Sequence, residues 1–269
     1  MPPEHCTLGD LAALTGGRLI GAPGIEISAV THDSRAAGPG VLFVAVRGFS
    51  VDGHRFVAQA RAAGCAAVCV EEDPPDGGPA LVVGDSRAAM GPIAARVCGD
   101  PSHRLSLVGV TGTNGKTTTC HLVESIAGAA GLVPATVGTV GARIAGEAVP
   151  VGRTTPEAPD FQRLLARMVG AGVQVAAVEV SSHALALGRV AGSRFAVAAF
   201  TNLTQDHLDF HPDMEAYFLA KASLFTPALA ARAVIWVDDP YGVRLAEGTL
   251  LPVLRVGRGP EAEVSAAEV

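Results

Sequence analysis

The chain contains 269 residues, of which 49% are hydrophobic and 4% aromatic, and its formal net charge is −6. This length exceeds one typical domain and suits two, and with so few aromatic residues the cores must be built from Ala, Val and Leu. The acidic balance, without any run of basic residues, argues against a general nucleic-acid surface, because neutralising many phosphates requires clustered Lys and Arg.

The cysteines and the N-terminus bear on the compartment of the protein. The five cysteines are odd in number and show no repeated C-x-x-C spacing, which is more typical of reduced thiols than of a disulfide framework or a zinc site. The N-terminal residues lack the basic and apolar segments of a signal peptide. No apolar stretch approaches the roughly 18 residues that span a bilayer. We therefore expect a soluble, cytoplasmic protein.

Short valine-rich runs alternate with amphipathic stretches along the chain. Strands are predicted at 41–46, 66–70, 81–83, 105–110, 173–180, 195–200, 233–237 and 252–256. Helices are predicted at 54–63, 86–97, 117–130 and 160–169. Because continuous apolar strands separated by helices are typical of buried parallel sheets, the predicted fold class is α/β.

A domain boundary is predicted at 99–103, where turn-forming residues and a proline lie between a helix and a strand. It divides the chain into a small N-terminal domain, 1–102, and a second α/β domain, 103–269. The second domain ends at Val269 without a closing helix. We therefore expect the sequence to be the N-terminal part of a longer protein, with its second domain incomplete.

The strongest local signal is the segment 111–119, T-G-T-N-G-K-T-T-T, between a predicted strand and a predicted helix. Its glycines allow backbone N–H groups to converge on phosphate oxygens, and the helix start adds a partial positive charge. Lys116 can reach the terminal phosphates, and the Thr117 hydroxyl can bind Mg²⁺. The strict motif has Gly where this chain has Val110, so the loop is a variant, G-x-x-G-K-T. The predicted phosphate contacts are Gly112, Thr113, Asn114, Gly115, Lys116, Thr117 and Thr118.

The phosphate loop leaves the reaction open among an ATPase motor, a GTPase, a kinase and a ligase. Glu179 narrows the chemistry, because it ends a predicted strand, where a phosphate-loop protein needs a Mg²⁺ ligand or a water-positioning group. The alternative is a carboxylate that faces solvent.

Histidines and carboxylates follow the next predicted strand. His207 and His211 have the i, i+4 spacing of zinc ligands, but the zinc-protease pattern requires Glu where this chain has Leu208. Asp206, His207 and Asp209 can supply oxygen and imidazole ligands at a strand end. A polar loop without metal is the alternative.

Lys221 lies within an apolar helical stripe. The helix predicted at 214–225, capped by Asp213, has the apolar positions Met214, Tyr217, Phe218, Leu224 and Phe225. A lysine inside this stripe either extends its ammonium group to the edge of the core or is partly desolvated, which lowers its pKa. A neutral, buried amine can react with CO₂ to form a carbamate, which is a carboxylate-like Mg²⁺ ligand.

Together these segments resemble the Mur ligase family. The matching motifs are T-G-T-N-G-K-T-T-T at 111–119, T-T-P-E-A-P at 154–159, E-V-S-S-H-A-L at 179–185, F-T-N-L-T-Q-D-H-L-D-F-H at 200–211 and Y-F-L-A-K-A-S-L-F at 217–225. The first domain adds T-H-D-S-R at 31–35, L-F-V-A-V-R-G at 42–48 and D-G-H-R-F at 52–56. They occur in family order over nearly the whole chain.

The resemblance implies a UDP-precursor-binding domain followed by a phosphate-loop ATPase-type domain with a parallel sheet. The implied activity is an ATP-dependent acid–amino-acid ligase of peptidoglycan synthesis, which adds diaminopimelate or lysine to UDP-N-acetylmuramoyl-L-Ala-D-Glu through an acyl-phosphate. The pocket for the amino acid would lie in a C-terminal domain beyond this sequence. We therefore expect no ligase turnover from the chain alone, and we expect a monomer.

The resemblance also implies residue roles. Lys116 and Thr117 would hold the ATP phosphates and Mg²⁺, Glu179 would join the first Mg²⁺, and His207 with a carbamylated Lys221 would hold a second. The implied precursor contacts are His32, Ser34, Phe49, Ser50 and Val51 at the UDP end, and Thr154, Thr155, Ser181 and Arg189 at the sugar–peptide portion. Some relatives have glutamine where this chain has Leu187, so a contact there is not carried over.

Two alternatives stay open. Another Mur ligase step or a folylpolyglutamate-type synthetase would share the phosphate loop and the lysine, although the motifs at 31–35 and 52–56 disfavour folate. A non-catalytic nucleotide-binding protein would bind ATP and show no affinity for UDP-muramoyl-dipeptide.

Overall fold

The computed structural model describes residues 6–48 and 51–265, which form two compact units. The first unit comprises the chain up to Pro101 together with Ala158–Ala166 and Ala191–Ser193, and the second comprises Ser102–Glu157, Arg167–Val190 and the chain from Arg194 onward. Two short segments of later sequence therefore pack with the first unit. The domain limits proposed from sequence, 1–102 and 103–269, stay a prediction.

Five strands form the sheet of the first unit, in the order β1-β5-β4-β3-β2. They are β1 (Arg18–Ile20), β2 (Ala29–Thr31), β3 (Val41–Val44), β4 (Ala67–Val70) and β5 (Ala80–Val82). β1 is antiparallel to β5, whereas the pairs β5–β4, β4–β3 and β3–β2 are parallel. The helices of this unit include α1 (Leu8–Thr15), α2 (Val57–Ala62) and α3 (Ser86–Val97), with 3-10 turns at Ser34–Ala36 and Gly53–Phe56.

The parallel strands of this sheet are buried on both faces. Leu42 and Val44 of β3 belong to one hydrophobic core, together with Met90 of α3. Phe43, between them in sequence, belongs to a second core with Val57 of α2. Since successive side chains of a strand point to opposite faces, a strand covered on both sides is a continuous apolar run. The continuous apolar run at 41–46 is the pattern from which β3 was predicted.

Nine strands form the sheet of the second unit, in the order β14-β13-β12-β11-β6-β10-β7-β8-β9. They are β6 (Ser106–Thr111), β7 (Pro134–Gly138), β8 (Gly141–Ile144), β9 (Glu147–Val149), β10 (Val175–Glu179), β11 (Val197–Phe200), β12 (Ala233–Trp236), β13 (Val253–Gly257) and β14 (Val264–Ser265). The remaining helices are α4 (Lys116–Ala129), α5 (Ala158–Gly170), α6 (Ser182–Ala186), α7 (Met214–Ala222) and α8 (Pro240–Gly248). Residues 158–166 of α5 pack with the first unit.

The centre of this sheet places three loops side by side. β6 is parallel to both β10 and β11, with Val110 opposite Glu179 and Thr111 opposite Phe200. The carboxyl ends of the three strands therefore meet at one edge, which is where ligands bind in open α/β sheets.

The predicted α/β class and parallel sheets are confirmed, and the ends of the eight predicted strands lie within two residues of the observed ones. The helix predicted at 54–63 begins instead as the 3-10 turn Gly53–Phe56, with α2 starting at Val57. The helix predicted at 214–225 ends at Ala222, and Leu224 and Phe225 are buried just beyond it. In the described part of the chain no helix is long and apolar enough to cross a bilayer.

Candidate functional site

The segment between β6 and α4 is a loop whose backbone requires glycine at two positions. Gly112 and Gly115 adopt φ of 148° and 86°, values that disfavour any residue with a Cβ. A Cβ on Gly112 would also collide with the Thr201 hydroxyl. Gly115 caps α4 without a side-chain hydrogen bond. The first N–H groups of an α-helix have no intrahelical partner, so the start of α4 is suited to bind an anion.

The loop after β11 holds this phosphate loop in place. The Thr113 N–H donates to the Asn202 carbonyl at 2.9 Å, and the Asn114 N–H donates to Asn202 Oδ1 at 3.0 Å. In return, the Thr201 hydroxyl donates to the Asn114 carbonyl at 2.7 Å. Because Asn202 already accepts from Thr113 and Asn114, the backbone donors at the start of α4 are the better candidates for phosphate oxygens.

Two lysines meet at one carbonyl of this loop. Lys116 Nζ donates to the Gly112 and Thr113 carbonyls at 2.9 and 2.8 Å, and Lys221 Nζ donates to the Gly112 carbonyl at 2.8 Å. Lys221 is only 1% exposed and lies 4.5 Å from the Tyr217 ring centroid. The alternative in which its ammonium group reaches the edge of the core is therefore wrong for this structure.

Burial governs the ionisation of both lysines. It lowers the pKa of Lys221 to about 7, and the charge of Lys116 acts in the same direction while Asp206 opposes it. Burial also lowers the pKa of Lys116, against the raising effect of Glu179 and Asp206. Lys221 can thus lose its proton near neutral pH.

Glu179 is a buried carboxylate that hydroxyl and amide groups fix in place. Its Oε1 accepts from the Thr117 hydroxyl at 2.8 Å and from the Thr139 N–H at 2.9 Å, and its Oε2 accepts from the Thr139 hydroxyl at 3.1 Å. A Cβ on Gly138 would collide with this carboxylate. Since the side chain is 1% exposed, the solvent-facing alternative for Glu179 is wrong.

The oxygen donors at Thr117 and Glu179 suit Mg²⁺, which usually takes one or two protein carboxylates and completes its shell with phosphates and water. Within residues 6–48 and 51–265, no group of three or more His, Cys, Asp or Glu side chains is placed to hold a metal. The zinc-like spacing of His207 and His211 therefore does not form such a group.

A cavity of about 520 Å³ in the second unit is lined by half of the site residues predicted there. Its lining consists of Lys116, Thr139, Arg153, Thr154, Thr155, Ser181, Ser182, His183, Arg189, His207 and Lys221. The lysines, His207 and all four sugar–peptide residues implied by the resemblance thus line one space.

The residues of this cavity that were predicted to bind the precursor differ in what their polar groups already contact. The Thr155 hydroxyl donates to the Glu179 carbonyl at 2.8 Å, and the Ser181 hydroxyl caps α6 by accepting the Ala184 N–H at 3.1 Å. Arg189 pairs through Nε with Glu157 Oε1 at 2.9 Å. Arg153 approaches the same Glu157 oxygen at 3.2 Å. One carboxylate therefore orients two guanidinium groups.

His207 has a left-handed backbone, with φ of 53°, which is uncommon for a residue with a side chain. Its ring centroid lies 4.9 Å from that of His183. His211 is buried, with its ring centroid 5.1 Å from that of Tyr217. Burial lowers the pKa of both His183 and His211, so both favour the neutral form.

The residues predicted for the UDP end lie in the first unit. Ser34 is buried, and its hydroxyl donates to Gln59 Oε1 at 3.0 Å, whereas His32 and Val51 are exposed. Ser34 follows β2 and Val51 follows β3, and these strands are parallel neighbours, so both residues follow the same edge of the sheet. Phe49 and Ser50 lie outside the described residues.

Sequence reasoning missed several residues of the site. Thr139 follows β7, a buried strand that was not predicted because it begins with a proline and ends with a glycine. The contacts of Thr201 and Asn202 become visible only in three dimensions. Glu157 and His183 stand inside matched motifs, which marked their segments without indicating what the side chains contact.

The fold and the site define an α/β protein with a variant phosphate loop, a buried strand-end carboxylate and a buried lysine around one cavity. The chain belongs to the Mur ligase family. The Mur ligase middle domain matches residues 110–269, and the Mur ligase family catalytic domain matches residues 26–95.

Relatives and solved structures agree with this assignment. The chain is 46% identical over 258 residues to a UDP-N-acetylmuramoyl-L-alanyl-D-glutamate–2,6-diaminopimelate ligase of Geobacter metallireducens, covering 93% of this chain and 50% of that protein. It is 45% identical over 279 residues to the protein of the same name from Streptomyces coelicolor, covering 99% and 54%. A solved structure with that ligase name superposes with a TM-score of 0.85 at 27% identity, covering 98% of this chain and 55% of that one. The chain thus spans about half the length of these relatives.

Proposed function

We propose that this chain forms the precursor-binding and phosphate-binding part of an ATP-dependent ligase. That ligase adds 2,6-diaminopimelate to UDP-N-acetylmuramoyl-L-alanyl-D-glutamate during cell-wall precursor synthesis in the cytoplasm. The names of the relatives support the substrate and the amino acid. The observation that carries the proposal is the common acceptor of Lys116 and Lys221, the Gly112 carbonyl, beside a cavity lined by the predicted precursor residues.

ATP supplies the phosphoryl group that activates the precursor carboxylate before the amine of the incoming amino acid displaces phosphate. The start of α4 would receive the phosphate oxygens, and Lys116 would exchange its two carbonyl acceptors for them. Thr117 and Glu179 would supply oxygen ligands to Mg²⁺, with Thr139 preventing the carboxylate from rotating.

A carbamate on Lys221 fits its surroundings. The neutral Nζ forms a bond to the carbon of CO₂ and releases one proton, so that a buried amine becomes an anion. This anion would lie near the positive charge of Lys116, and it would offer oxygen ligands to a second Mg²⁺ together with His207. A costly buried ammonium group would thereby be replaced by an anion paired with Lys116 and Mg²⁺.

The cationic groups of the cavity suit the anionic precursor. Arg189, held by Glu157, would donate to a carboxylate of the dipeptide as a charge-assisted hydrogen-bond donor. Thr154 and Ser181 would contact the sugar–peptide portion, and Ser34 with its neighbours in the first unit would contact the UDP end. The task of the protein is then to position crowded anions and to neutralise their charge.

Isothermal titration of the 269-residue chain with UDP-N-acetylmuramoyl-L-Ala-D-Glu tests the proposal. We expect saturable binding that Arg189→Ala weakens at least tenfold, because a charged hydrogen bond contributes about 1.5–3 kcal/mol. Arg167→Ala, which changes an exposed arginine of α5, is the matched control and should leave the affinity unchanged. Binding of Mg·ATP without any binding of the precursor would instead support a non-catalytic nucleotide-binding protein.

A further inference from the structure

Tyr217 lies at the centre of the lysine and histidine cluster, although no sequence motif assigns it a role in the site. Its side chain is 0% exposed. The hydroxyl lies 3.2 Å from Thr113 Oγ1, and the ring centroid lies 4.5 Å from Lys221 Nζ. The His207 and His211 rings have centroids 6.0 and 5.1 Å from that of Tyr217. One side chain thus contacts the phosphate loop and both proposed ligands of the second Mg²⁺.

The direction of the hydrogen bond between Tyr217 and Thr113 follows from the other partners of Thr113. The Thr113 hydroxyl has one hydrogen, which it donates to the Thr204 carbonyl at 3.1 Å, and it accepts the Thr204 N–H at 3.0 Å. A hydroxyl offers one donor and two acceptor lone pairs. Tyr217 is therefore the donor into the remaining lone pair, and the bonding capacity of Thr113 is complete.

Tyr217 and Lys221 attach α7 to the phosphate loop at two adjacent points. They are four residues apart, so their side chains lie on the same face of the helix. Lys221 donates to the Gly112 carbonyl and Tyr217 to the Thr113 hydroxyl. A single hydrogen bond would let the helix pivot about its acceptor, whereas two bonds to consecutive loop residues fix both distance and rotation.

We infer that Tyr217 is a positioning residue that holds the phosphate loop in register with Lys221 and His207. This inference rests on the proposed function and deepens it. The ring covers one side of the Lys221 nitrogen and the hydroxyl anchors the loop beside it, so the two proposed magnesium sites keep a constant separation. A purely space-filling tyrosine would need the ring and would not need the hydroxyl.

The substitution Tyr217→Phe removes only the hydroxyl and keeps the packing of the ring. The chain has just two tyrosines, and the other supplies a matched control, because the Tyr241 ring packs on Phe218 in a tilted arrangement. Hydrogen–deuterium exchange of the segment 111–119 in the ligand-free chain is the first measurement. Titration with Mg·ATP is the second.

We expect Tyr217→Phe to speed amide exchange of the phosphate loop by about three- to tenfold and to weaken Mg·ATP by a similar factor, which corresponds to one ordinary hydrogen bond. Tyr241→Phe should change neither. A lower melting temperature with unchanged loop exchange would overturn the inference. Failure of the unsubstituted chain to bind Mg·ATP would contradict the proposed function, whereas the exchange measurement would still decide the role of Tyr217.

Discussion

Lys116 and Lys221 donate to the same acceptor, the carbonyl oxygen of Gly112, at 2.9 and 2.8 Å. They are the only two lysines in the sequence, and all the other residues in the combined count of Lys and Arg are arginines. Two ammonium groups at one oxygen repel each other, and the group more removed from water is the one that loses its proton first. Burial, together with the repulsion from Lys116, lowers the pKa of Lys221 to about 7.

Carbamate formation at Lys221 is expected to increase as the pH rises through about 7, because only the neutral amine reacts with CO₂. Carbon-13 NMR of the chain with labelled bicarbonate measures it, and the signal should disappear in Lys221→Met. With ¹³C-labelled lysine, two side-chain resonances should appear, and the one lost in Lys221→Met should titrate near pH 7. Titration of that resonance only near pH 10 would contradict the burial argument.

Lys221→Met should stabilise the ligand-free chain. The folded-state pKa lies below the value of 10.5 for a free lysine, so between about pH 7 and 10.5 the unfolded chain binds the extra proton. Stability therefore rises with pH in this window, and the full cost of the buried charge applies below about pH 7. At pH 6 we expect the methionine to raise the free energy of unfolding by about 1–4 kcal/mol and to remove the rise with pH. Urea denaturation at several pH values tests this, and a destabilised variant would contradict it.

Glu179→Gln should make nucleotide binding insensitive to magnesium. The amide keeps the shape of the side chain and loses the negative charge that Mg²⁺ prefers. Titration with ATP, with and without Mg²⁺, should show a large magnesium effect in the unsubstituted chain and little in the variant. Glu247→Gln, in an exposed position of α8, should behave as the unsubstituted chain. An unchanged magnesium effect in Glu179→Gln would remove this residue from the metal site.

Gly112→Ala should abolish phosphate binding and destabilise the chain. The substitution forces a Cβ into a backbone with φ of 148° and against the Thr201 hydroxyl, and strain of this kind costs about 1–3 kcal/mol. Gly128→Ala is the matched control, because a Cβ there meets nothing within 4 Å in the last turn of α4. The control should lose no stability, since alanine favours a helix over glycine. Thermal unfolding measures the effect on stability, and ATP titration measures the effect on phosphate binding. If Gly112→Ala changed neither, the loop would not need a glycine at this position.

Most of the fold could be predicted because buried parallel strands have a simple sequence signature. The run at 41–46 is apolar without interruption, and the run at 105–110 is broken only by Ser106 and Gly109, since both faces of their sheets are covered. Six of the strands that the structure describes were not predicted. β1, β2, β8, β9 and β14 have only two to four residues, and the buried β7 begins with Pro134 and ends with Gly138. The end of α7 was also misplaced: Leu224 and Phe225 continue the apolar pattern although the helix has ended.

The sequence by itself determined the phosphate loop, the strand-end carboxylate and the unusual position of Lys221, because each depends on local spacing or on periodicity along one element. Only the tertiary structure decided that Lys221 is buried rather than extended to the core edge, and that it shares the Gly112 carbonyl with Lys116. Only the tertiary structure revealed that Thr139 holds the Glu179 carboxylate and that Tyr217 holds the Thr113 hydroxyl. Such contacts join residues 40 to 109 positions apart in the chain, and no local pattern records which distant side chain folding will bring to a given acceptor.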